Sequence, residues 1–314
     1  MTNADLGPIL RGQYSHDLLL HDCDEDLVAA TRAFVEQGLA SDGRVLVHSC
    51  EERVAMLRGQ LGSHPRLEYG LDRDLYQSPS TTMFGYERAL ERDPTELWVT
   101  GTVPLGDDPA GHHTWLHYES LVNELLSGFA FHALCTYDTR TVPRGTIAAA
   151  RATHPGLSAG GERTRCADYV KPAPFLTDAP TGWPDLRSMR PTIAITLQGL
   201  GDLRSARHLL ARSAESASAV DRESIIGFTT AVHEVLVNAL THGGPPVDLT
   251  VWAETARLTC QVTDCGPGIP DDFFGYQHPT PNAALGLWAA RHLCDELIVI
   301  NEPGGGCGVI MTIA

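Results

Sequence analysis

The segment AVHEVLVNALTHG, residues 231–243, decides the fold of the second part of this chain. Its apolar residues have helical spacing, and Glu234 and Asn238, four positions apart, project from one face of that helix. A carboxylate and an amide placed together suit Mg²⁺, and Glu234 could instead polarise an attacking hydroxyl or water. Taken alone, the pair fits an exposed polar helix edge better than a site.

A second segment, LTCQVTDCGPGIP at residues 258–270, places a carboxylate at the end of a strand pattern, directly before a glycine turn. Asp264 can accept a hydrogen bond from an adenine amino group, while Gly266 and Gly268 let the backbone approach a flat base and adopt positive φ. A turn with a purely structural role explains this sequence equally well.

Two more glycine-containing segments follow. ALGLWAARHLCDEL, residues 284–297, puts Gly286 at a helix start, where free N–H groups and the helix dipole favour phosphate oxygens. GGGCGVIMTI, residues 304–313, carries Gly304, Gly305, Gly306 and Gly308 before a strand; this pattern predicts either a nucleotide-facing loop or a flexible hairpin turn.

The order ExxxN, then DxGxG, then a Gly-Leu helix start resembles the N, G1 and G2 boxes of GHKL (Bergerat-fold) ATPases and kinases. The NAxxHG ending at Gly243 and the short connection from Gly268 to Gly286 are similar to the anti-sigma-factor serine kinase branch. The resemblance implies ATP and Mg²⁺ as cofactors, Glu234 as general base and Asn238 as magnesium ligand. It implies nucleotide contacts from Asn238, His242, Asp264, Gly266, Gly268, Gly286 and Leu287.

This sequence departs from the family pattern in two ways. Ala284 stands where many relatives have a glycine, and residues 191–314 contain no lysine for a phosphate contact. These departures bear on the rate of phosphoryl transfer more than on nucleotide binding.

Consecutive strand patterns without crossover helices, such as Asp248–Glu254 followed by Arg257–Asp264, predict an antiparallel or mixed sheet. With helices predicted at Leu203–Ala214 and Arg222–Thr241, the fold class of residues 191–314 is an α+β two-layer sandwich, the Bergerat fold implied by the resemblance.

Upstream, helical patterns alternate with short apolar runs, which predicts an α/β domain with a mostly parallel sheet over residues 1–172. A proline-rich stretch without a sustained apolar period separates the two regions, so residues 173–190 are predicted to be a linker.

The N-terminal region resembles a MEDS sensory domain from about Leu6 to Val170. The patterns that carry this resemblance are His16 to Leu20, EQGLASDGRVLVHS, CTYDTRTVP, and THPGL around His154. It implies a small organic ligand, of unspecified identity. His16, Tyr137, Arg140 and His154 are candidates for a ligand pocket or a domain interface, because polar groups at strand ends border the clefts of parallel sheets; a structural role explains each equally well.

Histidines and cysteines also gather in short intervals of this region, which would build a metal or haem pocket if the fold brought them together. None has the spacing of a structural zinc site, and a buried cysteine in a strand usually behaves as a small hydrophobe. The groups are His16, His21 and Cys23; His48 and Cys50; His112, His113 and His117; and His132 and Cys135.

Composition narrows the function classes. The net charge of −16 and pI of about 5.2 oppose direct nucleic-acid binding. The sequence shows no leader pattern and no apolar run long enough to cross a bilayer, and its eight cysteines form no CxxC pair. We therefore expect a cytoplasmic location with reduced thiols and no membrane partner.

Together these patterns predict a signal-responsive regulator that binds ATP and phosphorylates Ser or Thr in, or sequesters, a protein partner. The resemblance implies an anti-anti-sigma protein or a sigma factor as that partner, and a homodimer. Two alternatives are a ligand-binding switch without kinase chemistry and an atypical histidine kinase, although a dimerising helical hairpin is missing and His208 lies on an ordinary amphipathic helix.

Overall fold

The computed structural model of the chain describes residues 9, 12–105, 109–159, 162–178, 186–269, 273–276, 286–301 and 305–314. The chain divides into two compact units, Met1–Gly182 and Trp183–Ala314. The boundaries predicted from the sequence, 1–172, 173–190 and 191–314, stay a prediction.

The first unit is built on a mostly parallel sheet, as the alternating sequence pattern predicts. Within the described residues, seven strands lie in the order β3-β2-β4-β5-β1-β6-β7, and each neighbouring pair is parallel except β6 and β7. The strands are β1 (Ser15–His21), β2 (Arg44–Ser49), β3 (Leu67–Leu71), β4 (Leu97–Gly101), β5 (Phe131–Asp138), β6 (Gly156–Ala159) and β7 (Glu162–Arg165).

Helices connect these strands. β4 and β5 are buried along their whole length, as expected for central strands of a parallel sheet with both faces covered. Trp98 of β4 packs edge-on against Phe34 at a ring-centroid distance of 5.0 Å in the core. The helices are α1 (Asp24–Ala40), α2 (Glu51–Leu61), α3 (Asp72–Leu75), α4 (Pro79–Arg92), α5 (Pro109–Leu125), α6 (Arg144–Thr153) and α7 (Pro172–Asp178).

The second unit is an antiparallel sheet with helices, which confirms the predicted α+β class. Its strands lie in the order β11-β12-β10-β9-β8 within the described residues. The strands are β8 (Ile193–Leu197), β9 (Val247–Glu254), β10 (Arg257–Asp264), β11 (Glu296–Asn301) and β12 (Cys307–Ile313), and the helices are α8 (Leu203–Ala214), α9 (Arg222–Asn238) and α10 (Gly286–His292).

One apolar core joins the three helices to the sheet, with Phe228, Val251 and Met311 fully buried in it. Trp252 and Ile310 form a smaller cluster with Leu186. Parts of the predicted linker 173–190 are therefore structured: residues 172–178 form α7, and Leu186 packs on the second sheet.

Helix α9 continues into a π-helical segment, Ala239–Gly243, where the sequence pattern predicts ordinary helix to Thr241. By length and composition, Arg222–Gly243 is the one helical segment in the described part of the chain that could cross a membrane. Its apolar face, which includes Val232 and Leu236, is buried in the core of the second unit. This packing is typical of a central helix in a globular domain.

Candidate functional site

Helix α9 holds the first pair of predicted site residues. Its N-cap, Asp221, accepts hydrogen bonds from the backbone N–H groups of Glu223 and Ser224, both at 2.9 Å, which fixes the start of the helix. Towards the other end of the helix, Glu234 and Asn238 lie half-buried on one face, one turn apart.

The π-helical end of this helix lies against the strand that carries Asp264. A methyl group at Gly243 would come within 2.4 Å of Asp264 Oδ1, so only glycine permits this contact. The next residue, Gly244, has φ of 78°, which turns the chain towards β9. π-Helical turns are rare and often occur at functional sites. This one brings the end of the helix that carries the ExxxN pair into contact with the DxGxG segment.

Asp264 ends β10 and is only 9% exposed. Its Oδ1 accepts a hydrogen bond of 2.8 Å from the Gly266 N–H. No described residue donates to Oδ2, so this oxygen is available to accept a hydrogen bond from a ligand.

The loop after Asp264 is held by Asn301, which sequence reasoning did not identify, and by Gly306 of the glycine-rich segment. Asn301 donates from Nδ2 to the Ile269 carbonyl at 2.8 Å and accepts from the Ile269 N–H at 2.9 Å. The Gly306 N–H donates to the Gly266 carbonyl at 2.7 Å. Gly268 has φ of 81° within this clamp. Asn301 ends a β-strand, and nothing in its neighbourhood in sequence signals this role.

Gly286 contacts Asn238 directly. A methyl group at Gly286 would lie 2.7 Å from Asn238 Nδ2, so the glycine lets α10 approach the face of α9 that carries the amide. The predicted ExxxN and Gly-Leu segments are therefore adjacent in space. Ala284 and Gly304, singled out from the sequence, lie outside the described residues.

These elements surround a cavity of about 280 Å³. Its wall is mostly apolar, and Asp264, Asn238 and His242 supply its polar side chains. Burial, with a smaller effect of the Asp264 charge, raises the pKa of the Cys307 thiol to about 11, so this cysteine is neutral at physiological pH. The described lining residues are Val235, Asn238, Ala239, His242, Gly243, Val262, Asp264, Pro267, Gly268, Ile269, Phe274, Leu287, Cys307 and Val309.

The lining includes five of the predicted nucleotide contacts: Asn238, His242, Asp264, Gly268 and Leu287. Gly266 and Gly286 contact the lining residues without lining the cavity themselves: Gly266 donates to Asp264, and Gly286 lies against Asn238. Glu234 does not line this cavity. The cavity's apolar walls and single buried carboxylate suit a flat heteroaromatic base with an amino substituent.

In the first unit, the structure brings together three of the four predicted pocket residues. The His16 and His154 rings lie 4.1 Å apart between centroids, and the Tyr137 hydroxyl donates to Glu119 Oε1 at 3.2 Å. Glu119 Oε2 in turn lies 2.9 Å from His16 Nε2 and 3.4 Å from His154 Nε2. The three residues thus share one buried carboxylate.

Arg140, the fourth predicted residue, lies elsewhere. Its guanidinium donates to Asp138 Oδ1 and Oδ2 at 2.8 and 2.7 Å and reaches Asp24 Oδ1 at 3.3 Å. Hydrogen bonds from Arg140 hold the pKa of the Asp138 carboxyl well below its usual range. Arg140 therefore follows β5 in an ion-pair network and is not part of the histidine group.

Sequence reasoning missed Glu119, and the structure places Cys135 beside His16, a member of another of the sequence groups. Cys135 Sγ lies 3.3 Å from His16 Nε2 and 3.4 Å from Glu119 Oε2, whereas His132 contacts Ser15 and Trp98. One signal was present: Glu119 interrupts the apolar residues that recur with helical spacing between Trp115 and Leu126. A charged residue in such a position needs buried partners.

The comparisons with known proteins fit both units. Residues 15–155 match the family model of the MEDS domain, the MEthanogen/methylotroph, DcmR Sensory domain. Residues 198–313 match the family model of the histidine kinase-like ATPase domain. The chain thus has a two-domain architecture in which a MEDS domain precedes a kinase-like, nucleotide-binding domain.

Solved structures similar to this chain include three histidine kinase domains. They come from the Erythrobacter litoralis EL346 blue-light activated histidine kinase (23% identity, 40% of this chain, 70% of that chain, TM-score 0.26), the E. coli osmosensor EnvZ (17%, 40%, 90%, 0.24) and Acinetobacter baumannii AdeS (14%, 41%, 70%, 0.25). With such low TM-scores, these likenesses support no conclusion about activity. No curated protein matches the chain significantly.

Proposed function

We propose that this protein is a cytoplasmic regulator whose C-terminal domain binds ATP with Mg²⁺ and transfers its γ-phosphoryl group to a Ser or Thr of a protein partner. The partner would be of the sigma-factor regulatory type, an anti-anti-sigma protein or a sigma factor, and phosphorylation or sequestration would control it. The N-terminal MEDS domain would supply the signal.

The observation that carries the nucleotide part of this proposal is the cavity around Asp264. An apolar slot with one buried carboxylate at its wall accepts the amino group of adenine and rejects a base that lacks that donor. The phosphate end would lie towards Asn238, where Gly286 comes close and Glu234 lies one turn away.

Magnesium fits this end of the site by donor chemistry. Asn238 offers an amide oxygen, and Mg²⁺ keeps several waters while the phosphates supply most of its other ligands. Because residues 191–314 contain no lysine, the ion would carry much of the charge compensation during phosphoryl transfer. Glu234 would orient the attacking hydroxyl and accept its proton.

Calorimetric titration with ATP and ADP, with and without Mg²⁺, tests the nucleotide site. We expect Asp264→Asn to weaken ATP binding about 10- to 100-fold, since a hydrogen bond to a charged acceptor contributes about 1.5–3 kcal/mol. Asp248→Asn, at an exposed carboxylate of the same sheet that accepts from Thr196, is the matched control and should leave the affinity unchanged. Equal binding by both variants would remove Asp264 from the site.

Phosphoryl transfer is tested separately with γ-labelled ATP and candidate partner proteins. Glu234→Gln should abolish acid-stable label on Ser or Thr while ATP binding is retained; Glu223→Gln, in the exposed first turn of the same helix, should label normally. Transfer that survives Glu234→Gln would exclude the general-base role. Acid-labile label on this chain itself would instead support the histidine kinase alternative.

A second candidate function is a nucleotide-controlled binding switch without chemistry. The observation that favours it is the position of Glu234 outside the described lining of the cavity. In that case ATP would select one conformation of the protein because it binds that conformation more tightly than the other. The affinity for the partner would then differ between the ATP-bound and the ADP-bound protein. No label would reach the partner.

A further inference from the structure

The MEDS domain contains a compact group of metal-ligating side chains: His16 on β1, Glu119 on α5, Cys135 on β5 and His154 after α6. All four are buried, between 0 and 8% exposed. One ligand atom from each lies within 4.8 Å of the others. We refer to these four residues as the buried cluster. Their convergence from four separate elements distinguishes them from a local cluster of surface charges.

Neighbouring groups fix which nitrogen of the His16 ring carries a proton. The Asn123 amide nitrogen donates to the carbonyls of Glu119, Ser120 and Thr153, so the amide oxygen must face His16 Nδ1 at 3.1 Å. An amide oxygen only accepts, and His16 Nδ1 therefore donates. In a neutral ring, Nε2 is then an unprotonated lone pair.

The same reasoning applies to His154. Its Nδ1 lies 2.7 Å from the Ala150 carbonyl, which only accepts, so Nδ1 carries the proton. His154 Nε2 consequently presents a lone pair to the buried cluster. This nitrogen has no hydrogen-bond partner among the described residues, although it is fully buried.

The two inward-facing lone pairs both meet Glu119 Oε2, at 2.9 and 3.4 Å. Lone pairs directed at a carboxylate oxygen repel it. Protonating both rings would place two imidazolium ions 4.1 Å apart in a buried environment, which is also unfavourable. A cation between the three groups would satisfy the two nitrogens and the carboxylate together.

We propose that His16, Glu119, Cys135 and His154 bind a divalent transition-metal ion of the zinc class. Four of the six separations between the ligand atoms are 2.9, 3.3, 3.4 and 3.4 Å, and all six lie within 4.8 Å. They approach the roughly 3.3–3.7 Å edges of a tetrahedron with metal–ligand bonds of about 2.0–2.3 Å. Two imidazoles, a thiolate and a carboxylate are a zinc-type donor set.

Charge also favours this assignment. On binding, the Cys135 thiol gives its proton to solvent and its sulfur bonds the metal, so one thiolate and one carboxylate neutralise the two positive charges. Tyr137 donates to the other carboxylate oxygen of Glu119 and orients it, while Asn123 and Ala150 orient the two rings. An adjoining cavity of about 10 Å³, lined in part by His16, Glu119 and Cys135, has room for about one water.

This metal site goes beyond the proposed function and does not depend on it. The experiment uses the full chain, stripped with a chelator and titrated with Co²⁺ and then Zn²⁺. Metal per chain is measured by mass spectrometry, and thiolate coordination by the sulfur-to-cobalt charge-transfer absorption. Cys135→Ser is compared with Cys166→Ser, which removes a buried thiol of the same domain whose Sγ donates to the Arg151 carbonyl.

We expect one ion per chain and a charge-transfer band in the wild type and in Cys166→Ser. Cys135→Ser should lose the band, and His154→Gln should lower metal affinity at least tenfold while the circular dichroism stays native. Absence of bound metal in folded wild-type protein, or a band that persists in Cys135→Ser, would overturn the site. Neither outcome bears on ATP binding, which is measured separately.

Discussion

The two candidate sites of this protein are built in opposite ways. In the ATPase domain, an open apolar cavity of about 280 Å³ is formed by backbone turns, and glycines such as Gly243 and Gly286 decide how closely its walls approach. In the MEDS domain, the other members of the buried cluster surround the fully buried carboxylate of Glu119, and the properties of this site depend on its side chains. One site is shaped to receive a large ligand; the other is filled by its own polar groups. Mutations in the first site should therefore lower nucleotide affinity, and loss of the Glu119 carboxylate in the second should lower stability even when no metal is bound.

The largest change in the free energy of unfolding is expected from Glu119→Ala. This change removes the acceptor of the Cys135 thiol and the Tyr137 hydroxyl and leaves both buried donors unsatisfied, which costs about 1–3 kcal/mol of unfolding free energy for each. Urea unfolding in the presence of a chelator measures it. Glu124→Ala, an exposed position on the same helix, should change stability by less than about 0.5 kcal/mol. Equal effects of the two variants would show that the cluster is not an energetic unit.

An intermediate effect is expected from Gly243→Ala in the ATPase domain. The new methyl group would overlap Asp264, which costs about 1–3 kcal/mol and displaces the carboxylate, so that ATP affinity falls at least about tenfold. Gly227→Ala is the control, because a methyl group there meets Leu293 at an ordinary 3.4 Å and favours the helix. ATP titration of the two variants gives the comparison, and a Gly243→Ala protein with wild-type affinity would contradict it.

A third comparison concerns the response of stability to acid. Burial lowers the pKa of His132 from its ordinary 6.5 to about 4, so the folded chain binds fewer protons than the unfolded chain between these values. Stability should therefore fall as pH decreases from about 6.5 to 4, by up to about 1.4 kcal/mol per pH unit from this residue. His132→Gln should flatten the slope in that window, whatever it does to stability at neutral pH.

Urea unfolding at several pH values checks this sign. Asp295 of the ATPase domain has a pKa raised by burial, and therefore works in the opposite direction, favouring folding as pH falls. Acid should consequently destabilise the MEDS domain first. A pH slope that is unchanged in His132→Gln would assign the acid sensitivity to other groups.

Sequence reasoning succeeded best where a structure depends on neighbours in the chain. The helix Leu203–Ala214 has the bounds predicted from its apolar periodicity. Consecutive strand patterns with no crossover helix between them predicted an antiparallel or mixed sheet, and the described strands of the second sheet pair antiparallel. Local motifs identified Glu234, Asn238 and Asp264 as candidate site residues, and the structure places Asn238 and Asp264 at one cavity.

It failed where contacts join distant positions. Glu119 meets His16 across 103 residues, and Asn301 clamps Ile269 across 32, and neither pairing leaves a periodic trace in the sequence. For Arg140, which follows a strand end, the sequence left a ligand pocket, a domain interface and a structural role open, and in the structure it pairs with the buried carboxylate of Asp138, two residues earlier. Spacing alone cannot rank such competing partners.

The strand order of the ATPase domain has a consequence for biosynthesis. β11 pairs only with β12 among the described strands, and β12 also borders β10, so β11 joins the sheet through a strand that is translated after it. The Gly306 contact that holds the loop after Asp264 also comes from this late segment. A ribosome-bound nascent chain should thus already carry all the described strands of the MEDS sheet while the sheet of the ATPase domain is still incomplete.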